Sequence, residues 1–349
     1  MRGGATGGEV RALKASRRRL VDDYDLLMFD LDGVVYVGDD AVPGAPEHLR
    51  RARAEGAHVA FITNNASRSP EAVADKLTAL GVEASPADVV TSAQAAAHVL
   101  LERHGAGARI AVLGAAGLEG ALLEAGLTPV SVDDQRACGI VSGYGPDVVW
   151  RDVMRAAVRI RDGLPWVASN TDLTLPTAQG PAPGHGVLVD LLSRFAGVEP
   201  VVAGKPRRPL LDETIRRVGG DRPLMVGDRL DTDIAGGQEA DVDSLLLMTG
   251  VTRLAELVAA TPLERPTFLS CDLGGLMEVH PEPPQVQGGG AELGGWRGRV
   301  TDGRLTVEGD GNRDDWWRVV AVVAWEHLDA NGDAPDTQGL VPPASSPPG

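Results

Sequence analysis

Two short runs, DLLMFDLDGV at residues 25–34 and RPLMVGDRLDTDI at residues 222–234, each carry a hydrophobic stretch straight into carboxylates and a glycine. An apolar run closed by a sharp polar turn is the pattern of a strand buried on both faces in a parallel sheet. Asp30 and Asp32 then lie at the carboxyl end of one strand, and Asp228 at the carboxyl end of another. In open α/β sheets those ends line the ligand crevice. Carboxylates gathered there repel one another by about 4 kcal/mol per pair at roughly 4 Å, with an effective dielectric of about 20. Such a cluster needs a cation, and hard oxygen donors suit Mg2+.

Two further pieces follow the same logic. HVAFITNNAS (58–67) ends an apolar strand in Thr63, Asn64 and Asn65, and VVAGKPRRP (201–209) sets Lys205 between a glycine and a proline. Taken in order, the four segments resemble the motifs of the haloacid dehalogenase (HAD) superfamily of phosphatases. The form is that of the NagD-like, p-nitrophenylphosphatase-like subfamily with a C2-type cap: DLDGVVY, TNNAS, GKP and GDRLDTDI. The resemblance covers about residues 22–275. It implies an α/β fold with a Rossmann-like parallel-sheet HAD core, an inserted α/β cap domain and a small C-terminal α+β module.

Each motif residue has a chemical role to fill. A carboxylate at Asp30 can attack phosphorus and split hydrolysis into two easier steps through an aspartyl-phosphate. Asp32 lies two residues on, and in extended backbone i and i+2 point the same way. It can therefore protonate the leaving alkoxide and later take a proton from water. The dehalogenases lack this second aspartate, so Asp32 points to phosphoryl chemistry. The resemblance implies that Asp228 ligates Mg2+ together with Asp30 and the backbone carbonyl of Asp32. Asp233 is placed behind a metal-bound water; Asp231 reads equally as a helix N-cap carboxylate or a metal group. Thr63 donates its hydroxyl to a phosphoryl oxygen, Asn64 and Asn65 add donors, and Lys205 supplies fixed positive charge. ASNTDLTLPTAQGPAPGHG (168–186) resembles a stretch near the end of the cap, where Asn170 and Asp172 border the substrate, or where a hairpin serves structure alone. His185 reads as a loop residue, since aspartates already fill both acid–base roles.

The organisation along the chain follows from periodicity and breakers. Residues 1–20 read as a basic, glycine-rich disordered tail, with Arg17, Arg18 and Arg19 solvated. Residues 21–91 and 201–280 read as the core domain, with helices at 43–56, 69–81 and 209–218. Residues 92–200 read as the cap, with strands near 109–113, 138–142 and 165–169 and helices at 92–104, 117–125 and 148–162. Residues 281–295 read as a linker. Residues 296–332 form a module, a hairpin turning at Asp302-Gly303 followed by one helix, and 333–349 a Pro/Ser/Gly-rich disordered tail. Four of the six tryptophans (Trp296, Trp316, Trp317 and Trp325) fall in that module, which is too short to bury them alone and must dock. The whole arrangement resembles actinobacterial glycerol-3-phosphate phosphatases, which append a small acetyltransferase-like (GNAT-like) module.

A net charge of −16 argues against a general nucleic-acid binder. Cys138 and Cys271 offer neither a disulfide framework nor zinc spacing, and suit a reducing cytoplasm. No apolar stretch reaches the roughly 18–20 residues that span a bilayer. The expected function is Mg2+-dependent hydrolysis of a small phosphorylated metabolite, with glycerol 3-phosphate as the specific expectation. Phosphoglycolate, pyridoxal phosphate, sugar phosphates and nucleoside monophosphates stay open. So do transfer of the phosphoryl group to a second alcohol and, from another class, an inactive sensor or scaffold. The resemblance also allows a homodimer through the cap.

Overall fold

The structure, a computed structural model, describes residues 13–177, 180–286 and 289–343. Its centre is a six-stranded sheet in the spatial order Phe268–Ser270, Asp243–Leu247, Pro223–Gly227, Leu26–Phe29, His58–Thr63, Val89–Thr91, parallel throughout. The chain moves outward one way from Leu26–Phe29, leaves the sheet, and returns on that strand's other side. The strands ending at Phe29 and Gly227 therefore meet at the topological switch point, where ligands bind in such sheets. Alternate residues of each strand feed opposite faces. Leu27, Phe29, Val59, Phe61, Leu224 and Val226 pack with the helices Ala45–Ala54 and Pro70–Ala79. Leu26, Met28, Ala60, Ile62 and Met225 pack with Ser92–His104 and Pro209–Val218. Both faces being covered accounts for the uninterrupted apolar runs.

A second parallel sheet runs Val201–Val202, Trp166–Ala168, Gly139–Ser142, Arg109–Leu113, Thr128–Val130. The helix Ser92–His104 lies between the two sheets. Its alanines and Leu100 share one hydrophobic cluster with Met28 and Ile62 of the first sheet and with Ile110, Val141 and Val167 of the second. Val201 and Val202, expected in the core, pair instead with Val167 and Ala168 of the second sheet.

The C-terminal part is a three-stranded antiparallel sheet, Ala291–Leu293, Trp296–Thr301 and Arg304–Gly309, under the helix Arg313–Asn331. The helix covers the open edge of the central sheet. Trp316, Trp317, Val320 and Trp325 are buried in one cluster with Leu246, Leu257 and Leu269. Polar contacts fix the register of this docking. Asp314 accepts from Ser270 Oγ (2.9 Å) and the Cys271 N–H (2.7 Å), the Trp325 indole donates to Leu257 O (2.8 Å), and Arg265 holds both oxygens of Asp329 at 2.6 and 2.7 Å. An exposed edge strand is an aggregation template, so the tryptophan-rich helix doubles as a cover.

Three expectations are corrected. The tail over 1–20 is ordered from residue 13 onward: Leu13 is buried, the Lys14 N–H donates to Thr267 O (2.9 Å) and the Ser16 N–H to His280 O (2.8 Å). Arg18 and Arg19 pair internally, with Asp23 and with Asp22 and Glu55. Residues 1–12 lie outside the described residues. Within the linker 281–295, Ala291–Leu293 is a strand. In the tail from 333, Asp336 exchanges backbone hydrogen bonds with Gly303 and Leu305 (2.8 and 2.9 Å), satisfying the hairpin's outer edge; residues 344–349 lie outside the described residues. Composition misled in each case, because a segment poor in apolar residues still orders where unpaired backbone groups await it. Among the described residues no helix is long and apolar enough to cross a membrane.

Candidate active site

Phe29 and Val226 are register partners, so Asp30 and Asp228 emerge side by side from neighbouring strands. Lys205 is 2% exposed and donates to Asp30 Oδ1 at 2.6 Å and to Asp233 Oδ1 at 2.7 Å. The other oxygen of Asp233 accepts the N–H groups of Asp228 (3.2 Å) and Arg229 (3.1 Å). Oxygens of Asp30, Asp228 and Asp233 all lie within 4.8 Å of one another.

Three carboxylates around one ammonium leave an excess of negative charge. Burial pushes the Asp30 carboxyl well above its ordinary range, and Asp233 and Asp228 push the same way against the pull of Lys205. Asp228 is pushed up to about 7, by burial first and then by Asp233. Burial alone would lower the Lys205 ammonium, but Asp233 and Asp30 outweigh it and the net shift is upward. The donor set fits a divalent cation. Asp228 Oδ1 is buried and accepts no hydrogen bond among the described residues. Leaving such an acceptor unmatched costs about 1–3 kcal/mol, a cost a hard cation removes.

Asp32 lies at the mouth, in a small pocket shared with Tyr36, Thr63, Asn65, Arg68 and Lys76. Although its side chain is exposed to solvent at the pocket mouth, desolvation by the surrounding walls raises its carboxyl, against Lys76, Arg68 and Lys205. A raised carboxyl suits proton donation to a leaving group. Thr63 Oγ1 accepts the Asn65 N–H (3.1 Å), and its own proton has no protein acceptor among the described residues. Asn65 Oδ1 holds the Ser67 N–H and hydroxyl at 2.9 and 2.7 Å.

Of the backbone or side-chain donor expected from Asn64, the side chain is already committed within the protein. Its Nδ2 donates to Asp172 Oδ1 (3.0 Å) and to Lys205 O (3.0 Å), and its Oδ1 accepts the Lys205 N–H (2.8 Å). Its carbonyl accepts from Ser92 Oγ (2.6 Å) and Asn170 Nδ2 (2.7 Å). The side chain therefore joins three chain segments and has no donor left over. Asn170 and Asp172 are brought to this junction, where Asp172 is close enough to Lys205 and Asp233 to feel both charges. Asp231 is exposed and pairs with Arg229 at 2.7 Å, away from the cluster. His185 is a buried residue opening the helix His185–Ala196, not part of a loop: its Nδ1 meets Asn170 O (2.8 Å) and its Nε2 meets Ser142 Oγ (3.2 Å). Burial lowers it to about 4, so it stays neutral and structural.

Several contributors carry no signal in the sequence. Arg68 shares the Asp32 pocket, Ser92 anchors Asn64, and the Val251 N–H donates to Asp228 Oδ2 at 2.6 Å. Each is an ordinary residue of a turn or helix start until the fold brings it in.

The chain matches a family model for haloacid dehalogenase-like hydrolases over residues 27–128 and a HAD-hydrolase-like model over residues 202–276. It is 38% identical over 324 residues to a D-glycerol 3-phosphate phosphatase of Mycobacterium tuberculosis, covering 88% of each chain. A crystal structure of glycerol phosphate phosphatase from that organism, in complex with magnesium, superposes with a TM-score of 0.81 at 38% identity, over 88% of this chain and 92% of that one. A 4-nitrophenylphosphatase from Thermotoga maritima superposes with a TM-score of 0.68 at 29% identity, over 74% of this chain and 98% of that one. With the switch-point carboxylates already in place, these matches settle the family: the chain belongs to the haloacid dehalogenase-like hydrolases, and it is a phosphatase.

Proposed function

We propose that this phosphatase hydrolyses glycerol 3-phosphate to glycerol and phosphate through an aspartyl-phosphate at Asp30. The observation that carries the site is the Lys205 ammonium bridging Asp30 and Asp233, beside an Asp228 oxygen that no donor among the described residues meets. Lys205 holds Asp30 Oδ1 and so orients the carboxylate, whose other oxygen attacks phosphorus. The phosphorus–oxygen bond to glycerol breaks as Asp32 gives its proton to the leaving alkoxide. Asp32, now ionised, takes a proton from water as that water attacks the aspartyl-phosphate, which regenerates Asp30 and frees phosphate. Thr63 and Asn65 donate to the non-bridging oxygens, and Lys205 offsets their charge. Asp30, Asp228 and the Asp32 carbonyl would hold a Mg2+ ion, backed by Asp233, which would screen the anionic substrate from the anionic nucleophile.

The 38% identity to the mycobacterial glycerol 3-phosphate phosphatase supports the substrate. A panel of phosphomonoesters, assayed for phosphate release with and without Mg2+, checks it. Glycerol 3-phosphate is expected to give the highest kcat/KM, at least about tenfold above phosphoglycolate and sugar phosphates; tenfold corresponds to about 1.4 kcal/mol of transition-state discrimination. A better substrate of another class overturns the assignment.

The partner is read as a second copy of this chain. The helices Trp150–Arg161 and His185–Ala196 pack side by side and leave Trp150, Met154 and Val158, with Val187, Leu191 and Phe195, exposed by 38–62% at i, i+4, i+8 spacing on each. A two-helix apolar face of this kind suits an isologous contact. Light scattering is expected to give a dimer for the native chain and a monomer for Met154→Glu; a native monomer at micromolar concentration rejects this. Two free cysteines, Cys138 among them exposed, support a reducing cytoplasm.

A further inference from the structure

Asp228 is wedged between two glycines from different loops. A Cβ built on Gly33 (φ +87°) falls 2.5 Å from Asp228 Oδ2 and 2.8 Å from its Cγ. A Cβ built on Gly250 overlaps the same oxygen and lies 2.5 Å from Cγ. Neither approach is tolerated by a real side chain, so both positions must be glycine for the carboxylate to stand where it does. The segment carrying Gly250 also bonds what it touches. The Val251 N–H donates to Asp228 Oδ2 (2.6 Å), the Thr252 N–H to the Asp228 carbonyl (3.2 Å), and Thr249 Oγ1 to the Gly33 carbonyl (2.7 Å).

These contacts treat the two carboxylate oxygens differently. Oδ2 is held by a backbone donor and flanked by two Cα atoms. Oδ1 is buried, and no donor among the described residues meets it. We propose that residues 249–251 are positioning residues that turn Asp228 so that Oδ1 alone faces a divalent cation, and that they thereby set the protein's affinity for that cation. The inference rests on the reading that Asp228 holds Mg2+, and it adds a determinant lying outside all four motifs. Thr249 extends the effect to the DLDG loop, since it ties the Gly33 carbonyl to the same segment. The two halves of the carboxylate cluster are thus locked to each other from one side of the crevice.

Titration calorimetry of the full chain with Mg2+ alone tests this, with thermal melts recorded without metal. Gly250→Ala is expected to weaken Mg2+ binding more than tenfold, and Thr249→Val several-fold, while Thr249→Ser binds as the native chain does. For the variants, kcat at saturating Mg2+ is expected to recover while the Mg2+ concentration needed for half-maximal rate rises; a purely structural role would not produce that split. Should Gly250→Ala fail to fold, the comparison of Thr249→Val with Thr249→Ser carries the test. If the native chain binds Mg2+, Asp228→Asn abolishes it, and the Gly250 and Thr249 variants bind normally, the positioning inference is wrong while the metal site stands. If Asp228→Asn binds Mg2+ as tightly as the native chain, the underlying site is wrong.

Discussion

Asp30→Asn is expected to lower kcat/KM for the best phosphomonoester by more than about 100-fold, a loss of at least roughly 2.7 kcal/mol in transition-state stabilisation. Asparagine has the shape of aspartate, and its carbonyl oxygen can still accept the Lys205 proton that Asp30 Oδ1 accepts at 2.6 Å. It lacks the second anionic oxygen that must form the bond to phosphorus. The loss would therefore be chemical and not a failure to fold. Stability gives an independent check. Asp30 is one of three mutually repelling carboxylates, with its carboxyl raised by burial and then by its acidic neighbours. A neutral residue there relieves that repulsion, so the melting temperature without Mg2+ is expected to hold or rise. Equal phosphate release by the variant and the native chain from every substrate would remove catalysis from this site altogether.

Lys205→Ala carries the second large effect, on stability as well as rate. The ammonium is fully enclosed and touches two carboxylates. Removing one partner of a buried ion pair typically costs about 3–5 kcal/mol, because the other charge is stranded. The loss is expected to depend on pH in a defined direction. In the native chain the ammonium is shifted upward, so its contribution is complete below the ordinary lysine range and fades only as pH rises through its folded value. Near neutrality it is fully present. Without it, Asp30 and Asp233 face each other and Asp228 unscreened. Asp30 and Asp228 are already raised, Asp228 to about 7, and raised carboxyls disfavour the folded state as pH climbs from their unfolded toward their folded values. Urea unfolding in the presence of a chelator is expected to show a deficit clearly larger at pH 8 than at pH 5. A pH-independent deficit would mean that lost packing, not charge, dominates. Catalysis is expected to fall by at least about 100-fold as well, as when a preorganised charge is removed from a transition state.

Much of the candidate site was legible in the sequence because its residues follow a local rule. Apolar strands that stop at Asp30, Thr63 and Asp228 announce themselves through period and composition, and strand ends in a parallel sheet share one rim. Asn64 illustrates the limit. The run TNNAS marks it as a loop residue near phosphate chemistry, yet its side chain spends every donor on Asp172 and Lys205. Those partners lie 108 and 141 positions away, and no short-range pattern encodes them. The segments at both ends erred in the same manner. Glycine, charge and proline around residues 13–20 and 333–343 suggested disorder, but the edge strand and the hairpin offered backbone partners that composition does not record.

By itself, the amino-acid order determined the fold class and the buried runs that end at Asp30, Thr63 and Asp228, because each is written in the composition and termination of a single strand. Tertiary structure alone decided which Asp228 oxygen stays free, which asparagine is committed to scaffolding, and that the tryptophan-rich helix closes the sheet's edge. Those outcomes depend on contacts between segments far apart in the chain, such as Lys205 with Asp30 across 175 positions. Their geometry exists only once the two sheets that carry these segments have packed together.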